Sequence, residues 1–278
     1  MDLLHAIILG IIEGITEFLP ISSTGHLTIA EKLMGYQIDD PAMTAFTAII
    51  QIGAIIAAVI YFRRDIIRIA TAWLRGLFNA GARRTNDYKF GWAVIIGSIP
   101  IAIVGLLFKH QIETVLRSLW FVVAGLILWS VVLFVADRKG KENRSEQDVS
   151  WKDTLIIGIT QCFALIPGVS RSGATISAGL LRGLDRVTAT RLSFFLGIPA
   201  LCAAGLVETV TEAGNISSGI GWSATIVGIV VSFIVGYVAI AWLLKFVSRH
   251  DFTAFIWYRV ALGVVVAILI TTGVVGAV

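Results

Sequence analysis

The stretch IIEGITEFLPISSTGHL, residues 11–27, decides the fold because it joins an apolar run to groups that apolar runs rarely contain. It carries Glu13 and Glu17, a proline, three consecutive hydroxyl residues and His26. The apolar segment it closes, residues 3–19, is shorter than the roughly 20 residues that span a membrane. The proline and the polar residues after it predict a re-entrant helical hairpin, since irregular backbone at membrane depth needs surrounding protein or a wet cavity.

The whole chain is too apolar for a soluble domain of its size. Of its 278 residues, 57% are hydrophobic and 14% are charged, whereas soluble domains carry about 25% charged residues. The sequence therefore predicts an all-α polytopic membrane protein with a single integral membrane domain, residues 1–278. The six predicted transmembrane helices are 43–62, 90–108, 118–136, 192–211, 222–245 and 254–276.

Basic residues are concentrated in alternate connections between these spans. The connection 63–89 contains seven Lys and Arg residues and 137–153 contains five, whereas 212–222 contains none. The positive-inside rule places the basic connections in the cytoplasm and both termini outside. Topology accounts for the charges, so the net charge of +4 does not indicate nucleic-acid binding.

A second short apolar segment, residues 154–167, repeats the first at an offset of 148 residues. The motif SSTG at 22–25 corresponds to SRSG at 170–173, and each motif follows a proline. The other matched pairs are Gly10 with Gly158, Glu13 with Gln161, Phe46 with Phe194, and Ile50 with Ile198.

Each half of the repeat would contain one hairpin and three spans. Because three is odd, the halves 1–140 and 150–278 would be oppositely oriented, joined by the charged loop 137–153. Such inverted-topology repeats place broken helices, and a site between them, near the membrane midplane. We therefore expect the tips PISSTGH and PGVSRSGAT to meet.

Glu13 and Glu17 are the candidate metal ligands. They are four residues apart and so share one helix face. A shared proton or a divalent cation would offset their repulsion, and Mg²⁺ or Ca²⁺ suits carboxylate oxygens. The alternative is that one carboxyl group is neutral and purely structural.

The turn after Pro20 supplies candidate catalytic groups. Ser22 or Ser23 is a potential nucleophile, with His26 as the general base or proton donor. The competing interpretation is that Ser23 or Thr24 caps the following helix.

In the second tip, the guanidinium of Arg171 is suited to a phosphate. Ser170, Ser172 and Thr175 surround it, and the helix that begins there directs N–H groups at an anion. The alternative is a structural ion pair between Arg171 and Glu17.

Both motifs resemble those of the bacterial undecaprenyl-diphosphatase family, the BacA-type bacitracin-resistance enzymes. The first motif falls on Glu13, Glu17, Ser22, Ser23, Thr24, Gly25 and His26, and the second on Pro167, Gly168, Ser170, Arg171, Ser172 and Thr175. The resemblance implies a phosphatase of the bacterial inner membrane that needs a divalent cation. It would hydrolyse undecaprenyl diphosphate to undecaprenyl phosphate, recycle this carrier lipid for peptidoglycan synthesis and confer bacitracin tolerance.

The residues suggest a mechanism in which Ser23 attacks the terminal phosphorus and His26 manages the proton. Glu13 and Glu17 would bind the cation, while Arg171 and the hydroxyls of Ser22, Thr24, Ser170, Ser172 and Thr175 would bind the diphosphate. His26 or a metal-bound water is the competing nucleophile. The prenyl diphosphate would enter from the periplasmic or extracellular side.

A different class of function uses the same groups. A flippase or transporter for a lipid phosphate or another anion would bind its cargo at this site without hydrolysis. Gly179 and Gly183 form a single GxxxG pair, which is weak evidence for a homodimer.

Overall fold

The computed structural model describes residues 1–37, 40–108, 111, 116 and 118–277, which form eleven α-helices. Six of them are long and apolar enough to cross a membrane, which confirms the predicted class and the number of spans. These six are α3 (Pro41–Tyr61), α5 (Asn86–Leu107), α6 (Leu119–Lys139), α9 (Arg186–Ser218), α10 (Trp222–Val247) and α11 (Thr253–Thr271).

Two pairs of short helices correspond to the two predicted hairpins. The first pair is α1 (Leu3–Thr16) and α2 (Ser23–Leu33), and the second is α7 (Trp151–Gln161) and α8 (Arg171–Leu181). Each pair is joined by a turn that carries one of the two motifs, so both polar tips lie between helices.

The caps of α2 and α8 have the same geometry. Ser22 and Ser170 both have φ of 76°, and the hydroxyl of each accepts a hydrogen bond from the backbone N–H three residues later. Positive φ in a residue other than glycine is strained and recurs at functional sites. The cap of α2 is therefore Ser22, and the expectation of Ser23 or Thr24 is wrong.

Glycine pairs bring the short helices against long ones. A Cβ atom on Gly10 of α1 would lie 2.8 Å from the carbonyl oxygen of Gly228 in α10. Gly158 of α7 lies still closer to α5, since a Cβ atom there would overlap the carbonyl oxygen of Gly97. These approaches fix the depth at which each tip sits in the bundle.

The basic connection 63–89 contains a helix that the sequence analysis did not predict. Its first part forms helix α4 (Arg63–Phe78), which follows α3 after the single residue Phe62. The prediction of a basic connection was incomplete, because apolar residues recur at helical spacing between the arginines of this segment.

The basic end of the bundle is held together by ion pairs. Asp153 is fully buried and lies 2.6 Å from Arg144 and 2.8 Å from Arg182. Burial alone would raise the pKa of Asp153, but the hydrogen bonds from Arg144, Ser150 and Arg182 outweigh it and hold the pKa well below its usual value. These contacts tie the loop 137–153 to the start of α7 and the end of α8.

The GxxxG pair is used inside the chain. Gly179 is buried, and its nearest neighbour is Ala189 of α9, while Gly183 has a φ of 83° in the turn after α8. This pair therefore does not present a free face to a second copy.

Candidate active site

Glu17 is the centre of the contacts between the two tips. Its Oε2 accepts hydrogen bonds from Ser23 Oγ at 2.7 Å and from Gln51 Nε2 at 3.3 Å. Its Oε1 accepts a bond from Arg171 Nη2 at 3.0 Å. One carboxylate thus joins the first tip, the second tip and the spanning helix α3. The ion pair between Arg171 and Glu17, which was the alternative interpretation of Arg171, is present, with both side chains nearly excluded from solvent.

Helix α9 holds Arg171 from its other side. Arg171 Nη1 donates to the carbonyl oxygen of Ser193 at 3.1 Å, and Thr175 Oγ1 donates to Ser193 Oγ at 2.7 Å. Gly197, one turn further along α9, leaves the space that the guanidinium occupies, because a Cβ there would overlap it. The Arg171 side chain is therefore fixed in direction before any ligand binds.

Glu13 remains largely unsatisfied. It is 1% exposed, and its Oε1 has no hydrogen-bond partner among the described residues. A buried carboxylate oxygen of this kind is costly unless a proton or a cation binds it. The oxygen set of Glu13 and Glu17 suits a hard divalent cation, although no group of three or more His, Cys, Asp or Glu residues forms a metal-binding cluster within the described ranges.

His26 contacts different partners from those expected. Its Nδ1 lies 2.7 Å from the carbonyl oxygen of Ser22, and its Nε2 lies 2.7 Å from the hydroxyl of Tyr258 in α11. Because a carbonyl only accepts, Nδ1 carries the proton, and Nε2 of the neutral ring accepts from Tyr258. The expected partnership of Ser23 with His26 is replaced by the hydrogen bond from Ser23 to Glu17.

The predicted phosphate-binding hydroxyls differ in availability. Ser22 and Ser170 cap helices, Thr175 is bonded to Ser193, and Ser172 Oγ donates to the carbonyl of Leu19 at 2.9 Å. Thr24 is exposed on the first turn of α2. Several hydroxyls therefore shape the two tips, whereas Thr24 is open to a ligand.

Arg259 of α11 connects the backbones of both tips. It is fully buried, and its Nη1 donates to the carbonyl of Pro20 at 2.9 Å. Its Nη2 lies 3.0 Å from the carbonyl of Gly168 and 3.1 Å from that of Val169. The same Nη2 lies 3.1 Å from the carbonyl of Gly125, and Nε donates to the hydroxyl of Ser130 at 3.1 Å. A single guanidinium thereby fixes the first tip relative to the second.

Sequence reasoning missed the groups that other helices contribute to the site. These are Gln51, Ser193, Gly197, Tyr258 and Arg259. For Arg259 a signal existed, since an arginine inside an apolar span is a functional candidate by default. Gly197 and Ser193 carry no such signal, because glycine and serine are ordinary in transmembrane helices.

Replacing Gly197 with alanine should displace the Arg171 guanidinium and lower the rate of the reaction at this site. A displacement of about 1 Å at a catalytic group costs about 10²-fold in rate. The measurement is kcat with the melting temperature recorded in parallel. Gly105→Ala in α5 is the matched control, since nothing lies within 4 Å of its Cβ position. Equal activities of the two variants would show that Gly197 does not set the position of Arg171.

Together, the fold and the tips define a multi-pass membrane protein with a carboxylate, a hydroxyl and an arginine at a shared internal site. Residues 6–265 match the family model described as bacitracin resistance protein BacA. The chain therefore belongs to the BacA family.

Curated relatives match over the full length of the chain. A protein named undecaprenyl-diphosphatase 3 from Frankia casuarinae is 62% identical over 277 residues and covers 100% of both chains. Proteins named undecaprenyl-diphosphatase from Cutibacterium acnes and Acidothermus cellulolyticus are 58% and 54% identical, again over 100% of both chains.

Proposed function

We propose that this protein is an undecaprenyl-diphosphate phosphatase, which hydrolyses undecaprenyl diphosphate to undecaprenyl phosphate and inorganic phosphate. The observation that carries the proposal is the Glu17 carboxylate, bonded to the Ser23 hydroxyl on one oxygen and to Arg171 on the other. The full-length relatives named undecaprenyl-diphosphatase support it. Its roles would be to return the carrier lipid to peptidoglycan synthesis and to confer tolerance of bacitracin.

Ser23 is the nucleophile that the geometry favours. As its Oγ forms a bond to the terminal phosphorus, the hydroxyl proton passes to Glu17 Oε2. The bond from phosphorus to the bridging oxygen breaks, and undecaprenyl phosphate leaves. Water then attacks the phosphoserine, and the Ser23 oxygen leaves and takes back the proton from Glu17 Oε2. This restores the hydroxyl and the carboxylate, and inorganic phosphate is released with the protons of the water. Attack by His26 is less favoured, because both of its ring nitrogens already have partners.

Arg171 and Thr24 would bind the diphosphate. The guanidinium is held by Glu17 and Ser193, so it is preorganised to stabilise negative charge that develops on the leaving phosphate. Glu13 and Glu17 would hold Mg²⁺ or Ca²⁺, which supplies charge neutralisation for the phosphate oxygens. The buried, unpartnered oxygen of Glu13 supports this assignment.

The inverted repeat belongs to this proposal. The matched caps at Ser22 and Ser170 support it. The corresponding glycine contacts, Gly10 with Gly228 and Gly158 with Gly97, also support it. On this basis the halves 1–140 and 150–278 would each contribute one re-entrant hairpin, in one membrane domain. The protein would lie in the bacterial inner membrane, with both termini and the opening of the site on the outer side.

Phosphate release from undecaprenyl diphosphate by purified protein in detergent is the direct test. We expect release with added Mg²⁺ or Ca²⁺ and its loss with EDTA, restored by excess cation. Absence of release in every condition would refute the phosphatase. Movement of lipid phosphate across a vesicle membrane without hydrolysis would instead support a carrier. Release that EDTA leaves unchanged would refute the cation site alone.

Tyr258→Phe tests whether His26, which is not the favoured nucleophile, takes part in proton transfer through its Nε2. Removing only the hydroxyl should lower kcat in the wild-type background and have no further effect in His26→Ala. Contacting residues show coupling energies of about 0.5–3 kcal/mol in such double-mutant cycles. Tyr237→Phe in α10 is the control, because its hydroxyl has no hydrogen bond to His26. Additive effects of the two substitutions would show that Tyr258 does not work through His26.

A further inference from the structure

Helix α4 has three distinct faces. Its protein face contains Ile69, Trp73 and Gly76, and it packs on α5, where Gly76 adjoins the ring of Tyr88 and Trp73 adjoins Gly91. These contacts leave no room for a Cβ at Gly76, so the helix is held at a fixed rotation. The other two faces therefore point in defined directions.

The second face is an exposed apolar stripe. Ile67 is 65% exposed, Leu74 is 53% exposed and Phe78 is 91% exposed. With Ala70 they follow the spacing i, i+3, i+7 and i+11, and at 100° per residue they occupy an arc of about 80°. Arg63 is the charged residue within this arc, and it stands at the first position of the helix, at the end of the stripe. Such a stripe on a helix too polar to span is typical of helices that lie in the membrane interface.

The third face is basic and adjoins the apolar stripe. Arg64, Arg68 and Arg75 occupy an arc of about 40° beside it. Arg68 is paired with Asp65 and Asp87. Arg64 and Arg75 are exposed and have no ion pair within the described part of the chain. Two guanidinium groups therefore remain available at the edge of the apolar stripe.

The position of α4 in the chain fixes its depth. It begins two residues after the spanning helix α3 ends at Tyr61, and the next spanning helix, α5, begins at Asn86. Helix α4 therefore lies where the bundle leaves the apolar layer. At that level an apolar stripe meets acyl chains, while arginines beside it meet headgroup phosphates.

We propose that α4 is a binding surface for anionic phospholipid headgroups in the leaflet on the basic side of the bundle. The apolar stripe would enter the acyl region, and Arg64 and Arg75 would pair with phosphate oxygens. This function is separate from the site at the hairpin tips, since α4 contributes no residue to that site.

The test uses the full-length protein in neutral detergent, with phosphatidylglycerol or phosphatidylcholine added at equal concentration. Phosphatidylglycerol should raise the melting temperature more than phosphatidylcholine does, and about 0.5 M NaCl should remove the difference. In Arg64→Gln/Arg75→Gln the difference should be lost, while phosphate release without added lipid stays at the wild-type rate.

Lys139→Gln/Lys152→Gln is the matched control, because it removes the same charge from other exposed positions at the basic end of the bundle. It should keep the wild-type response to phosphatidylglycerol. Three outcomes would overturn the proposal: an unchanged response in the arginine variant, an equal loss in the lysine variant, or a change of oligomeric state instead of lipid response. Failure of phosphate release in all proteins would refute the proposed function but leave the lipid response intact.

Discussion

Replacing Arg171 with alanine is expected to lower kcat for phosphate release by about 10³-fold or more, the range in which arginines that stabilise phosphoryl-transfer charge act. Arg171 Nη2 lies 3.0 Å from Glu17 Oε1, and Arg171 Nη1 donates to the carbonyl oxygen of Ser193.

Replacing Glu17 with glutamine should lower kcat by about 10²-fold to 10⁴-fold. Ser23 then loses its proton acceptor, while glutamine keeps the shape of the Glu17 side chain. The measurement is kcat on undecaprenyl diphosphate, with Arg138→Ala at the basic end of the bundle as control.

Loss of stability could produce the same result as loss of catalysis, since breaking a buried ion pair costs about 3–5 kcal/mol. Arg171→Lys and the exchange Glu17→Arg/Arg171→Glu separate the two effects. Both keep opposite charges at the pair, so both should melt closer to the wild type than Arg171→Ala does. If the pair were only structural, activity would recover together with melting temperature. We expect folded protein with kcat still strongly reduced.

Replacing Arg259 with methionine should separate or unfold the two tips. The methionine has a similar length, but it leaves the carbonyls of Pro20, Gly168 and Val169 without their shared donor. Each buried polar group left unpaired costs about 1–3 kcal/mol. We therefore expect a large fall in melting temperature and loss of phosphate release.

Arg259→Lys keeps the charge and part of the hydrogen bonding. It therefore tests whether Arg259 sets the relative position of the two tips, even when the methionine variant does not fold. It should remain folded with reduced kcat, because an ammonium cannot span both tips as a guanidinium does. Arg249→Met, at an exposed position, is the control. Wild-type melting temperature and rate in Arg259→Met would show that the tips hold their geometry without it.

Much of the fold could be predicted from the sequence because its determinants are local. The composition and the lengths of the apolar runs predicted the six spans. A proline followed by hydroxyl residues predicted each of the two polar tips. The match of the two motifs also predicted that the two tips meet, and Arg171 of the second tip contacts Glu17 of the first. Helix α4 was not predicted, because an arginine-rich segment between two spans is also typical of an ordinary basic connection.

The partners within the site could not be predicted, because they depend on residues far apart in the chain. His26 lies beside Ser23 in sequence, yet Tyr258, 232 positions away, holds its Nε2. Ser23 is directed instead to Glu17 across the turn.

The sequence by itself determined that this is an all-helical membrane protein of the BacA type, with two polar tips that carry carboxylates, hydroxyls and an arginine. Only the tertiary structure decided how those groups are paired. It placed Gly197 against Arg171, and it placed Arg259 between carbonyls 239 and 91 residues away. The physical reason is that helix formation and membrane insertion depend on neighbouring residues, whereas a hydrogen bond depends on where distant helices pack.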